Sequence, residues 1–227
     1  MSETVPLDLS VDRVRVFLDG EIVGSLTLSP AKTVAFSYES SWLSSGFSIS
    51  PLSLPLREGV FVAKRDPLHG LFGVFDDSMP DGWGRLLTDR LLRQRGIDPY
   101  SIGTLTRLSI VGSSGMGALE YEPAAVIENS VAATDLDDIA RECANLLETD
   151  FSEDLDQLFA LGGSSGGARP KILTEVDGEE WIIKFPSSVD SANIGEQEYQ
   201  ISVLARECGI DMPETRLFAS AQCSGYF

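Results

Sequence analysis

The chain has 227 residues, 43% of them apolar and 23% charged, enough for one large or two small globular domains with a sizeable core. Its 35 acidic and 17 basic side chains leave a net charge of −18, which disfavours direct DNA or RNA binding and favours a basic partner protein. The one histidine, His69, sits in a turn-like Asp66-Pro67-Leu68-His69-Gly70, so histidine metal sites and serine–histidine triads are hard to build.

In chain order, the first half reads as β-rich. Arg13 to Leu18 alternates apolar and polar residues, Asp19-Gly20 supplies a hairpin turn, and Ile22 to Leu28 returns. Thr33 to Glu39 alternates again, whereas Ser50 to Leu56 holds too much proline for a central strand and reads as an edge or connector. A helix is predicted after Asp81-Gly82, with Trp83, Leu86, Leu87 and Leu91 on one face, Asp81 as N-cap and Gly96 as stop. It carries the densest basic cluster, Arg85, Arg90, Arg93 and Arg95, of which the last two complement its negative end. Leu105 to Val111 and Ala118 to Tyr121 are predicted strands around Gly112 to Gly117.

From Pro123 to Ala133 the residues become small and polar, which marks a domain boundary. Thr134 can cap a helix carrying Leu136, Ile139, Ala140, Cys143, Leu146 and Leu147, and a shorter helix covers Glu153 to Leu161. Lys171 to Phe185 is a hairpin turning at Asp177-Gly178. Ile194 to Cys208 is a helix that aligns Ile201, Leu204, Ala205 and Cys208 and ends at Gly209.

No stretch approaches the apolar length that spans a bilayer, and Met1-Ser2-Glu3-Thr4 lacks the basic and apolar regions of a signal peptide. Cys143, Cys208 and Cys223 show neither metal spacing nor a disulfide framework, which fits a reducing, cytoplasmic location. No membrane contact is expected.

The segment richest in chemistry is Gly162 to Lys171, Gly-Gly-Ser-Ser-Gly-Gly-Ala-Arg-Pro-Lys. A nucleoside-triphosphatase P-loop fails because Ala168 stands where its lysine must be. A hydrolase nucleophile elbow centred on Ser165 fails because no histidine follows. Two readings remain: a flexible linker, and a loop whose bare backbone N–H groups face phosphate. Lys184, in Trp181-Ile182-Ile183-Lys184-Phe185, and Glu198 on the next helix could each be an ordinary solvated residue. The joint order of loop, strand lysine and helix glutamate is that of the ATP-gripping half of a protein kinase.

The glycine segment, with Ile182-Ile183-Lys184-Phe185-Pro186 and Glu198-Tyr199, resembles the HipA family of bacterial toxin serine/threonine kinases. Independent pieces agree: Asp19-Gly20 with Val23-Gly24-Ser25-Leu26, Trp42-Leu43, Ser53-Leu54-Pro55-Leu56, Met79-Pro80-Asp81-Gly82 and Gly115-Met116-Gly117-Ala118-Leu119. The resemblance implies an α+β fold: a small β-rich N-terminal subdomain with helices at 1–128, then the start of a kinase-like domain at 129–227, a protein-kinase-like N-lobe of antiparallel sheet plus helix. The C-lobe, with its catalytic aspartate and metal-binding residues, is expected after Phe227 and is absent from this chain.

It further implies ATP and Mg2+ as cofactors, with Ser165, Gly166, Gly167, Lys171 and Lys184 at the ATP phosphates and Glu198 orienting Lys184. Ser164 would be the autophosphorylated serine, with Ser165 as the alternative. No catalytic residue and no metal ligand is expected within the chain; Asp76, Asp77 and Asp81 lack further oxygen ligands to make a metal site. The family arrests growth, a route to persistence, by phosphorylating a translation component, glutamyl-tRNA synthetase in its best-known members. It is restrained by HipB, a helix-turn-helix antitoxin. By itself this portion is expected to bind ATP weakly or not at all and to transfer no phosphate. A non-catalytic module that binds or restrains a kinase partner is the alternative.

Overall fold

The computed structural model describes residues 10–115, 117–124, 135–149, 152 and 155–227. The expected boundary near 128, the Thr134 cap and Glu153 lie outside them. Two units divide the chain: Met1–Pro80 with Gly96–Glu128, and Asp81–Arg95 with Asn129–Phe227.

In the first unit, β1 (Arg13–Leu18), β2 (Glu21–Leu28), β3 (Val34–Tyr38), β4 (Phe61–Val62) and β5 (Leu119–Glu122) form an antiparallel sheet in the order β4-β3-β2-β1-β5. The β1–β2 turn forms where expected, with Asp19 and Gly20 both at positive φ, 50° and 78°, as a two-residue hairpin of this hand requires. Alternation sends Val14, Val16, Leu26 and Phe36 inward, and the register shift at Val16/Phe17 leaves Val23 buried as well; they meet Phe75, Leu105, Leu108 and Tyr121. Short helices α1 (Ser40–Ser45) and α2 (Gly73–Asp76) interrupt the strands. The proline-rich connector is anchored through Leu54, whose side chain is buried and whose carbonyl accepts from the Tyr38 hydroxyl at 2.6 Å.

One expectation is overturned here: Leu105 to Val111 lies in a helix, α4 (Thr104–Val111), not a strand. A short apolar run bears either period. The helical one puts Leu105, Leu108 and Val111 into the core, while Arg107 turns out to donate to the Pro99 carbonyl at 2.6 Å.

Tyr121 is the core's polar anchor, donating to Ser78 Oγ at 2.6 Å. Burial pushes its phenol up to about 12, the Ser78 hydrogen bond acting the other way and Asp77 adding to the rise. Because the unfolded chain ionises first, stability from this group is present below pH 10 and is lost as pH climbs towards about 12. Urea unfolding of wild type and Tyr121→Phe between pH 9 and 12 should therefore converge at the alkaline end. An unchanged difference across that window would contradict this.

In the second unit, α3 (Gly82–Gln94) buries Trp83, Leu87, Leu91 and Leu92, and packs against α6 (Leu155–Gly162). The end of α3 is tied to α6 by Arg95 on Asp156 at 3.4 Å, and Gly96 stops the helix at φ 74°. Helix α5 (Leu136–Thr149) buries Ile139, Cys143 and Leu146. The hairpin β6 (Lys171–Val176) and β7 (Glu179–Lys184) turns at Asp177-Gly178 and sets Lys171 opposite Lys184. Beyond β7, the Lys184 amide donates to the Phe227 carbonyl at 2.6 Å, and Phe218 and Tyr226 pair with each other. Asp137 holds that final segment to α5, accepting from Ser220 Oγ and Tyr226 Oη at 2.6 Å each and from the Ala221 amide at 2.9 Å.

Helix α7 (Ile194–Glu207) corrects a second expectation. The aligned Ile201 and Leu204 are 66% and 58% exposed, and Cys208 is exposed too. The face turned inward carries Gly195, Glu198 and Ser202, small or polar residues at helical spacing that let α7 approach closely. Among the described residues no helix is long and apolar enough to cross a membrane.

Candidate phosphate-binding site

Helix α6 ends at Gly162, and the chain then turns through Gly163 to Arg169 before entering β6. Ser165 points inward: it is fully buried, its hydroxyl donates to the Gly162 carbonyl at 2.6 Å and its amide reaches the same oxygen at 3.0 Å. The neighbouring Ser164 is half-buried. Gly166 and Gly167 form the exposed tip, with Gly167 at φ 82°. A Cβ on Gly167 would lie 3.1 Å from Lys171 Nζ, and one on Gly166 would lie 3.0 Å from Asp81 Oδ1. Side chains there would fill the approach to the backbone, so the tip needs glycine.

The Lys171 ammonium donates to the Gly166 carbonyl, fastening the first residue of β6 to the turn. Opposite it, Lys184 Nζ donates to Glu198 Oε2 at 2.9 Å. Glu198 also accepts from Arg169, whose other edge makes a bidentate pair with Asp190 at 2.9 and 3.0 Å. The Ser187 hydroxyl and amide, and then Arg169, hold the Asp190 carboxyl below its ordinary range. Phe227 lies beneath Lys184, with its ring centroid 4.8 Å from Nζ.

Both ammonium groups are pushed down from the usual lysine range. For Lys171 the cause is burial and then Lys184, with Asp81 opposing; for Lys184 it is burial and then Arg169. Two lysines side by side in a partly dry site gain when an anion with several oxygens comes between them, and phosphate is such an anion.

The structure thus gathers Gly166, Gly167, Lys171, Lys184 and Glu198, and turns the Ser165 side chain away from them. Three further residues take part. Asp81 was expected to cap α3, but its carboxylate makes no cap bond to that helix and accepts instead from the Gly167 amide. Arg169 shares Glu198 with Lys184, and Asp190 fixes Arg169. The Arg169-Pro170-Lys171 run is the visible signal for Arg169; Asp190 carries none. Among the described residues no group of three or more His, Cys, Asp or Glu could hold a metal ion.

A β-rich unit followed by a glycine turn, a lysine-bearing hairpin and a glutamate-bearing helix defines an α+β protein. A model of the HipA N-terminal domain matches residues 14–122, and one of the HipA-like C-terminal domain matches residues 163–227. The chain belongs to the HipA family. A solved structure of HipA from Shewanella oneidensis MR-1, in complex with HipB and its operator DNA, is similar with a TM-score of 0.56 and 18% identity. The match covers 94% of this chain and 49% of that one, so the chain spans about half the length of that HipA. No curated protein matches the chain.

Proposed function

We propose that the chain is the nucleotide-gripping portion of a HipA-like serine/threonine protein kinase, the toxin of a toxin–antitoxin system. The observation that carries this reading is the Lys184–Glu198 ion pair at 2.9 Å, on a hairpin whose facing lysine fastens the glycine turn. In a kinase-like N-lobe such a lysine meets the nucleotide phosphates and the helix carboxylate keeps it there. The bare Gly166-Gly167 backbone and the two lysines suit the triphosphate of ATP. Mg2+ finds no ligand set among the described residues, so no step is assigned to it.

The residues here bind and orient; none of them abstracts a proton from an acceptor hydroxyl. Glu198 divides its charge between Lys184 and Arg169, which keeps both cations aimed without cancelling either. Ser164, half-buried in the turn, is the residue proposed for autophosphorylation. A phosphoserine there adds close to two negative charges to a turn that must receive the phosphates of ATP, and repulsion would drive the turn out of the site. A HipB-like antitoxin is the proposed partner, a translation component such as glutamyl-tRNA synthetase the proposed substrate, and the cytoplasm the proposed location.

The test is mass spectrometry of the complete gene product after incubation with ATP and Mg2+. One phosphate on the peptide containing Ser164, absent in Ser164→Ala, is expected. Phosphate transfer that never touches this peptide would remove the regulatory part, and no nucleotide-dependent modification or substrate phosphorylation at all would favour a non-catalytic partner-binding module.

A further inference from the structure

We propose that Asp81 is a positioning residue for the glycine turn: its carboxylate stands in for a phosphate oxygen on the Gly167 amide and holds the turn closed until an anion displaces it. The inference rests on the phosphate-binding reading above only for what the displacing anion is.

Three contacts join the start of α3 to the tip of the turn. Asp81 Oδ1 accepts from the Gly167 amide, and the Trp83 amide donates to the Gly167 carbonyl at 2.8 Å, so both polar groups of one residue are taken. Between them, Gly82 sits at φ 42°, and a Cβ there would run into the Gly167 carbonyl oxygen. The approach is therefore backbone to backbone, and only glycine permits it.

The chemistry of the contact is that of an anion on a glycine-loop amide. Lys171 completes it: its ammonium holds the adjacent Gly166 carbonyl, and the Asp81 charge favours the protonated lysine. The other acids of the cluster, Glu198 and Asp190, face guanidinium or ammonium groups; Asp81 alone of the three spends its carboxylate on the turn's own amide. A phosphate oxygen arriving at Gly167 meets a seat already taken by a like charge.

At the other end of the turn, the buried indole Nε1 of Trp83 has no hydrogen-bond partner among the described residues and lies 3.2 Å from where a Cβ on Gly162 would be. A buried donor without an acceptor disfavours the state that contains it. A second arrangement of the turn that offers a carbonyl to Trp83 would relieve it, so the closed turn is poised rather than locked.

Hydrogen exchange by mass spectrometry on the complete gene product, over peptides spanning residues 162–170, reads the hold directly. Asp81→Ala should raise exchange there by roughly tenfold, the worth of one charge-assisted hydrogen bond. Asp81→Asn, which keeps an oxygen acceptor without the charge, should fall between and covers a failure of the alanine variant to fold. With inorganic tripolyphosphate as probe, calorimetry should show tighter binding to both variants than to wild type. Unchanged exchange, weaker tripolyphosphate binding to the variants, or no binding to any of the three would overturn the proposal. Tripolyphosphate binding that ATP does not surpass would leave the role of Asp81 intact and remove the nucleotide from the proposed function.

Discussion

Lys184→Met should lower phosphorylation of the Ser164 peptide in the complete gene product by about 10²- to 10³-fold, the usual loss when one preorganised charge at a reacting group is removed. Methionine keeps an unbranched apolar stem of similar length while deleting the ammonium and its contact with the Phe227 ring. Glu198 retains Arg169, so α7 stays in place. The Lys184 side chain is 38% exposed, so the pair itself adds at most about 1 kcal/mol to stability, and the unfolding midpoint should barely move. Lys184→Arg should not rescue activity: a wide planar fork replaces a compact cation in a site where Arg169 already crowds it. Retained phosphorylation in Lys184→Met, measured against a folded control, would remove this lysine from the phosphate site.

Gly195→Val should destabilise the second unit by about 3 kcal/mol, the upper end for overpacking, because nothing around the site can yield. Gly195 lies one turn ahead of Glu198, and its Cβ would strike the Gly225 carbonyl oxygen, with Gly225 C at 3.1 Å and the Phe227 amide at 3.3 Å. These are backbone atoms of the segment that pairs with β7 through Phe227, and Asp137 clamps the same segment from α5. Relief by moving α7 outward would carry Glu198 away from Lys184. Denaturant unfolding followed by tryptophan fluorescence should show the lowered midpoint, and in the complete gene product the variant should lose ATP binding even under conditions where it is folded. An unchanged midpoint would mean that α7 is not seated on the final segment as described.

Local features were legible where local chemistry decides them. Asp19-Gly20 and Asp177-Gly178 each announce a two-residue hairpin turn, and both form. Lys184 and Glu198 could be paired from their order along the chain, since a lysine leaving a strand and a glutamate one turn into the following helix are brought together by the hairpin-to-helix connection. Asp81 was not legible as a ligand of the turn. An aspartate before a helix is usually its cap, and its true partner, Gly167, stands 86 positions away. The inner face of α7 misled for a related reason. Apolar alignment points to Ile201 and Leu204, yet the helix is seated by Gly195 and Ser202, whose value is smallness and not hydrophobicity. Helix α4 was missed because seven apolar-rich residues fit either period until the surrounding sheet selects one.

The claim that Lys184 and Glu198 act as one unit on nucleotide phosphate is tested most directly by a double-mutant cycle on ATP affinity, with Lys184→Met, Glu198→Gln and both together in the complete gene product. Each single change should weaken binding by about tenfold or more, and the double variant should fall no further than about twofold below the weaker single, because removing either partner already undoes the arrangement. Losses that multiply in the double variant, or singles that bind ATP as wild type does, would show that the two side chains meet in the structure without sharing a task.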